Sequence, residues 1–192
     1  MSDSGELTPE ELAERDQRRA ERRARGEAFV DCACGNKHWG ILGAAGILAW
    51  RTEDSAGDGG RPEGTDRVRR SEPDVLLQLR VSWSHRGGTW AVPGGAINRG
   101  ETAWEGAVRE FTEESGFDAL KEPTGSHVLQ HPDWVYTTFV AQVDDPNVEL
   151  VPNDESEDLR WVPISEVASL DLMEPFRAAL PTLRALIDKQ VD

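Results

Sequence analysis

Apolar and polar positions fall in blocks along this chain, and the blocks predict a sheet flanked by helices. The run ILGAAGILAW (41–50) is apolar almost throughout, the pattern of a strand buried on both faces. VLLQLRVSW (75–83) reads as a second strand, and TWAVPGG (89–95) as a short strand entering a turn. HVLQ (127–130), WVYTTFVAQV (134–143) and DLRWVPI (158–164) predict three more. Between the first two strands the chain is polar and rich in glycine and charge, so residues 51–73 are expected to form a flexible loop insertion. Helices are predicted over 101–115 and about 174–189. In the second, Phe176, Leu180, Leu183 and Leu186 recur at helical spacing, and Pro181 is expected to kink the helix or break it in two. Strands, a central helix, more strands and a last helix make a mixed α/β sandwich.

Residues 1–28 have a different texture and are expected to form a charged helical extension to a domain spanning 29–192. Thr8-Pro9-Glu10-Glu11 is a capping box with proline at the first helical position. The helix that follows has few apolar residues and no strong stripe.

Composition narrows the function classes. A chain of 192 residues suits one domain with an extension. It contains no apolar run of membrane-spanning length, and its first residues lack a basic-then-apolar leader, so no membrane partner and a cytoplasmic location are expected. A formal charge of −15 argues against binding duplex nucleic acid. It also means that an anionic substrate needs local cations, from arginines or bound metal.

The central helix carries the chemistry. On a wheel, Ala103, Trp104, Ala107, Val108 and Phe111 share the sector that would seat on a sheet. Glu110, Glu113 and Glu114 fall along one edge of that sector, and Gly106 is expected to leave open space a turn before them. Carboxylates beside a buried face are poorly solvated and repel one another. Bound divalent cations resolve the conflict, because hard ions such as Mg²⁺ prefer oxygen ligands. Pro93-Gly94-Gly95 predicts a turn close to the helix start, Arg109 is expected to hold Glu101 or another part of the loop by an ion pair, and Gly116 is expected to end the helix.

Gly95, Glu101, Arg109, Glu110, Glu113, Glu114 and Gly116, with Phe111 and Phe117 at two bulky positions, resemble the Nudix box GX5EX7REUXEEXGU; all seven fixed positions match. The resemblance implies an α/β/α sandwich with a mixed sheet and a loop–helix–loop that holds Mg²⁺ or Mn²⁺. It implies hydrolysis of a nucleoside diphosphate linked to a further group, by water attack on phosphorus. By motif position Glu110 and Glu114 are expected metal ligands, with Glu113 ligating directly or through water and a carbonyl at Gly94 or Gly95 completing the sphere. Arg109 and Glu101 are expected to orient them. A late-loop glutamate is the expected base: Glu155 first, then Glu157, with Asp154 beside them. Arg80, Arg86 and Arg99 are candidates for phosphate. Trp83, Trp90, Trp134 and Tyr136 are candidates to stack on a base, although alternate strand positions suit the core equally. Pro132, fifteen residues past the box, has a placement associated with ADP-ribose hydrolases; TWAVPGGA looks equally like hydrolases of oxidised or non-standard nucleoside triphosphates. A catalytically silent nucleotide-binding regulator on the same fold is the alternative, although such proteins tend to have lost box glutamates. A homodimer is expected from family habit alone.

DCACGNKHWG (31–40) places Cys32, Cys34 and His38 together, residue types that zinc favours. They supply three of four ligands, leaving the fourth to Asp31, His85, His127 or His131 by tertiary contact. The plainer expectation is a turn with two buried thiols.

Overall fold

A computed structural model of the protein describes residues 8–52, 72–83, 87–145 and 147–191. Most of the expected 51–73 insertion, together with His85 and Arg86, lies outside the described residues.

The extension begins with α1 (Pro9–Arg25), capped reciprocally by Thr8 and Glu11 as its sequence predicts, with no residue buried. Its C-terminal end is tied to the domain: Arg99 N–H donates to the Arg25 carbonyl at 2.7 Å and Ile41 N–H to the Gly26 carbonyl at 2.8 Å. Then come β1 (Phe29–Asp31) and β2 (Lys37–Trp39), a small antiparallel hairpin.

The remaining strands form one sheet. They are β3 (Ala44–Arg51), β4 (Asp74–Arg80), β5 (Trp90–Ala91), β6 (Gly94–Ala96), β7 (Gly125–Gln130), β8 (Val135–Gln142) and β9 (Ser156–Pro163). The order β5-β4-β3-β8-β7 carries β6 against β3 and β9 against β4. β3 and β8 run parallel while the other pairs are antiparallel, so the sheet is mixed.

Both faces of the sheet are covered, which explains why β3 is apolar at nearly every position. Leu48 and Trp50 of β3, with Val75 and Leu77 of β4, join Phe176, Leu180, Leu183 and Ile187 of α3 (Glu174–Val191) in one core. Ala45, Ile47 and Ala49 point the other way and meet Ala107 and Phe111 of α2 (Ala103–Ser115) in a second core. The result is an α/β/α sandwich. Residues alternate between the two cores because successive strand side chains leave opposite faces.

α2 starts at a capping box of Thr102 and Glu105 and ends at Gly116, whose φ of 81° closes the last turn. In α3 the break that Pro181 offered does not occur. The helix runs unbroken through Pro181, since that residue lies on the exposed side and the lost hydrogen bond faces water rather than core. Trp90 is buried in the α3-side core beneath the Arg160 guanidinium, 4.4 Å from the ring centre, which removes it from the base-stacking candidates. No helix among the described residues is long and apolar enough to cross a membrane.

Phe111 is fully buried, packed edge-on against Phe117. Truncating it removes contacts that its neighbours cannot refill, so Phe111→Ala is expected to cost about 3–5 kcal/mol. Urea unfolding should show a lower midpoint with the slope unchanged.

Candidate functional site

The site grows from the contact of β3, β6 and α2. β6 pairs antiparallel with β3, setting Gly94 opposite Gly46 and Gly95 opposite Ala45. This lays the glycine turn across the acidic edge of α2. A Cβ at Gly95 would overlap the Glu110 carboxylate, and one at Gly94 would overlap the β3 backbone. Only glycine lets the backbone and that carboxylate come so close.

Glu114 is the most enclosed member, with 2% of its surface exposed. The Gly94 N–H donates to its Oε2 at 2.7 Å. The Gln78 amide also supports it while donating to Ser156 Oγ at 2.8 Å. These donors do not offset burial, which pushes the Glu114 carboxyl up to about 8. Glu110 is raised as well: burial outweighs the help of Arg109, and the charges of Glu113 and Glu155 add to it.

Arg109 is the hub. Its Nε donates to Glu101 Oε1 at 2.8 Å, Nη1 to Glu110 Oε1 at 2.7 Å and Nη2 to the Ala96 carbonyl at 2.8 Å. Glu101 is held below the usual carboxylate range by Arg109 first, then by the Asn98 N–H at 2.8 Å. Gly106 does not open free space in front of the acids, as its place on the wheel suggests. Glu101 fills that room, since a Cβ at Gly106 would come within 3.1 Å of its Oε2. Glu113 extends outward, 3.7 Å from Arg109. Glu110 and Glu113 therefore share Arg109, while Glu114 is held from the Gly94 backbone. Their oxygen donors, with the Gly94–Gly95 backbone close by, fit a hard divalent cation.

The site opens into a cleft of about 1250 Å³. Arg80 lines it, and the buried Arg80 Nε has no hydrogen-bond partner among the described residues. Trp134 and Tyr136 line it too; burial raises the Tyr136 hydroxyl above its usual range. Glu155 faces the same cleft, whereas Glu157 is engaged elsewhere, accepting from the Ser82 N–H at 2.8 Å. Arg99 is turned away, with its N–H and Nε donated to carbonyls at the end of α1. Trp83 stands at the rim, 76% exposed.

Two sets of residues escape the sequence reading. Gln78, fully buried in β4, carried a signal in being an amide within an apolar strand. Arg22 and Arg25 of α1 line the cleft, and nothing in a charged, stripeless helix points there.

A three-layer sandwich with an acid-rich helix edge under a glycine turn defines a class of domain. The chain belongs to the NUDIX domain family, whose model matches residues 65–183. A protein of Mycobacterium tuberculosis named "Putative 8-oxo-dGTP diphosphatase 3" is 40% identical over 84% of this chain and 70% of its own length. A Bifidobacterium longum nucleoside triphosphate pyrophosphatase/Nudix hydrolase fusion protein is 38% identical over 85% of this chain, which spans 32% of that relative. Among solved structures, the Nudix hydrolase RenU of M. smegmatis superposes with a TM-score of 0.66 at 34% identity, covering 85% of this chain and 96% of that one.

The raised Glu114 carboxyl gives metal-free protein a defined pH response. Its folded value of about 8 lies above the ordinary 4.5, so the protonated form is the one that folding favours. That contribution is complete below about pH 4.5 and disappears as pH rises through about 8. Melting in chelator should therefore fall in temperature between pH 6 and pH 9. Glu114→Gln, neutral throughout, should flatten this fall.

Proposed function

We propose that this chain hydrolyses a phosphoanhydride bond of a nucleoside triphosphate with Mg²⁺ or Mn²⁺, an oxidised purine triphosphate being the favoured substrate. The observation that carries the reading is the pair of poorly solvated carboxylates, Glu110 and Glu114, packed under the Gly94–Gly95 backbone at the wall of a nucleotide-sized cleft. The name of the M. tuberculosis relative supports the choice of substrate.

Glu110, Glu114, Glu113 and the Gly95 carbonyl would hold the cation, which when bound neutralises phosphate charge and makes water more acidic. Everything else falls to the chain. Arg109 fixes the Glu110 carboxylate and ties it to Glu101 and the β6 carbonyl of Ala96, so the acidic edge keeps its shape without reacting. Gly94 N–H holds one oxygen of Glu114. Arg80, whose side chain lines the cleft, would meet a phosphate oxygen through its guanidinium. Glu155 lines the same cleft as Glu110 and adds to the charge that raises it; it would take the proton from the attacking water as the water oxygen bonds to phosphorus and the bridging P–O bond breaks. Trp134 and Tyr136 offer aromatic wall to the base.

A hydrolysis screen with Mg²⁺ tests this, setting normal and oxidised nucleoside triphosphates against ADP-ribose, other nucleotide sugars and dinucleotides. The expected result is turnover of an oxidised triphosphate to a monophosphate and pyrophosphate, absent in Glu114→Gln. Glu155→Gln should lower kcat by about 10²–10⁴. AMP and a sugar phosphate as the main products would move the substrate to the nucleotide sugars. Silence across the panel with nucleotide still bound would sink the enzymatic reading in favour of a regulator.

A further inference from the structure

The structure brings together a second group of ligand types away from the glutamates. Cys32 Sγ, Cys34 Sγ and a ring nitrogen of His38 all lie within 4.8 Å of one another, with Cys32 buried and the other two half-buried. Cys34 Sγ and His38 Nε2 are 3.1 Å apart. Tetrahedral zinc, with bonds of about 2.3 Å to sulfur and 2.0–2.1 Å to nitrogen, holds its ligand atoms roughly 3.3–3.8 Å apart. The group is therefore close to zinc geometry and needs only small side-chain rotations to reach it.

The loop around these residues is ordered by its own backbone. Cys32 N–H donates to the Asn36 carbonyl at 3.1 Å and Gly35 N–H to the Cys32 carbonyl at 2.9 Å, closing a tight turn between β1 and β2. Gly35 carries the turn at a φ of 86°. The Asn36 side-chain Nδ2 lies 3.8 Å from the Cys34 sulfur.

The surroundings say what such a site would hold in place. β1 and β2 are three residues each, too short to be stable as an isolated hairpin. Yet this hairpin builds one wall of the cleft. The His38 ring stacks on Trp134 with centroids 4.4 Å apart and planes 10° apart. Trp134 Nε1 donates to the Trp39 carbonyl at 2.9 Å, and Ala33 N–H to Asp133 Oδ2 at 2.8 Å. One ion bound to two loop cysteines and a β2 histidine would close the hairpin and fix the ring on which Trp134 rests.

We infer that Cys32, Cys34 and His38 form a binding site for a single thiophilic divalent cation, zinc by ligand chemistry, that closes the β1–β2 hairpin and fixes the His38 ring on which Trp134 stacks. Binding releases the two thiol protons, and the fourth tetrahedral position goes to water. The site is independent of the glutamate edge in both ligands and chemistry, so it does not rest on the proposed reaction.

Cobalt(II) titration of the full chain, reduced and stripped of metal, tests the site. The expected result is sulfur-to-cobalt charge-transfer absorption saturating at one ion per chain and displaced by zinc. Oxygen ligands on α2 cannot produce that band, so Glu114→Gln should lose turnover and keep it in full. Cys34→Ser and His38→Ala should each weaken zinc binding by more than about 100-fold, because loss of the groups behind a metal ligand already costs 10–100-fold. Circular dichroism reports whether these variants fold; if either does not, the wild-type cobalt spectrum alone decides. Hydrogen exchange of the 29–39 amides should slow when zinc is added. Absence of the charge-transfer band in folded wild-type protein would overturn the site. So would a band that survives in both variants, or isolation of the chain metal-free with Cys32 and Cys34 joined as a disulfide.

Discussion

The enclosed Glu114 carboxylate is the constraint on which the rest of the site depends. Removing an ionised carboxylate from water is among the costliest steps a fold can take, and a group so placed either gains partners or takes up a proton. Here the partners are few. One backbone N–H and one amide face Glu114, and Glu110 beside it leans on a single guanidinium. The arrangement persists because α2 is anchored on its other side, where Ala107 and Phe111 are fully buried against β3. Apolar packing holds the acids where hydration alone would not leave them.

That anchoring explains the backbone around the acids. β6 has to reach the edge of α2, and its pairing with β3 brings Gly94 and Gly95 there. Any side chain at either position would meet a carboxylate or the sheet backbone. Arg109 then does more than neutralise charge. It joins α2 to the β6 carbonyl of Ala96 and to Glu101 in the intervening loop, so three segments share one rigid fork. Loop and helix are held together by the same charge that keeps Glu110 in place.

The elements that shape this site were legible in the sequence to different degrees, for physical reasons. The strands and α2 follow from periodicity, because burial on two faces or on one leaves an apolar record in the chain. The Arg109–Glu101 pair and the Gly116 cap follow from spacing along one helix and its flanking loop. Pro181 does not break α3, because a proline's cost depends on whether its missing hydrogen bond faces water, and that is a property of α3's docking. Gly106 misled for a related reason: a wheel shows which face a residue occupies and not what folds back over it. Gln78 and the α1 arginines reach the site only through pairing and docking, which local pattern does not encode. The convergence of Cys32, Cys34 and His38 depends on the hairpin turn at Gly35, so the sequence offered three ligand types without their geometry.

The balance of charge in the cleft carries the argument one step further. Glu110, Glu113 and Glu155 line it. The cations that share the cleft are mostly committed: Arg109 to Glu101 and Glu110, and Arg22 and Arg25 to Glu27 at 2.9 and 2.8 Å. Arg80 alone among these keeps a buried donor without a partner in the described residues. On the proposed reading, a polyphosphate entering this space would meet carboxylates whose charge the protein's own cations offset only in part, within a chain of net charge −15. In the reduced dielectric of a cleft that repulsion is stronger than it would be in water. Added positive charge at the acidic edge removes it twice, by satisfying the carboxylates and by facing the phosphates. On the proposed reading, the same burial that raises the Glu114 carboxyl would make anion binding conditional on a cation.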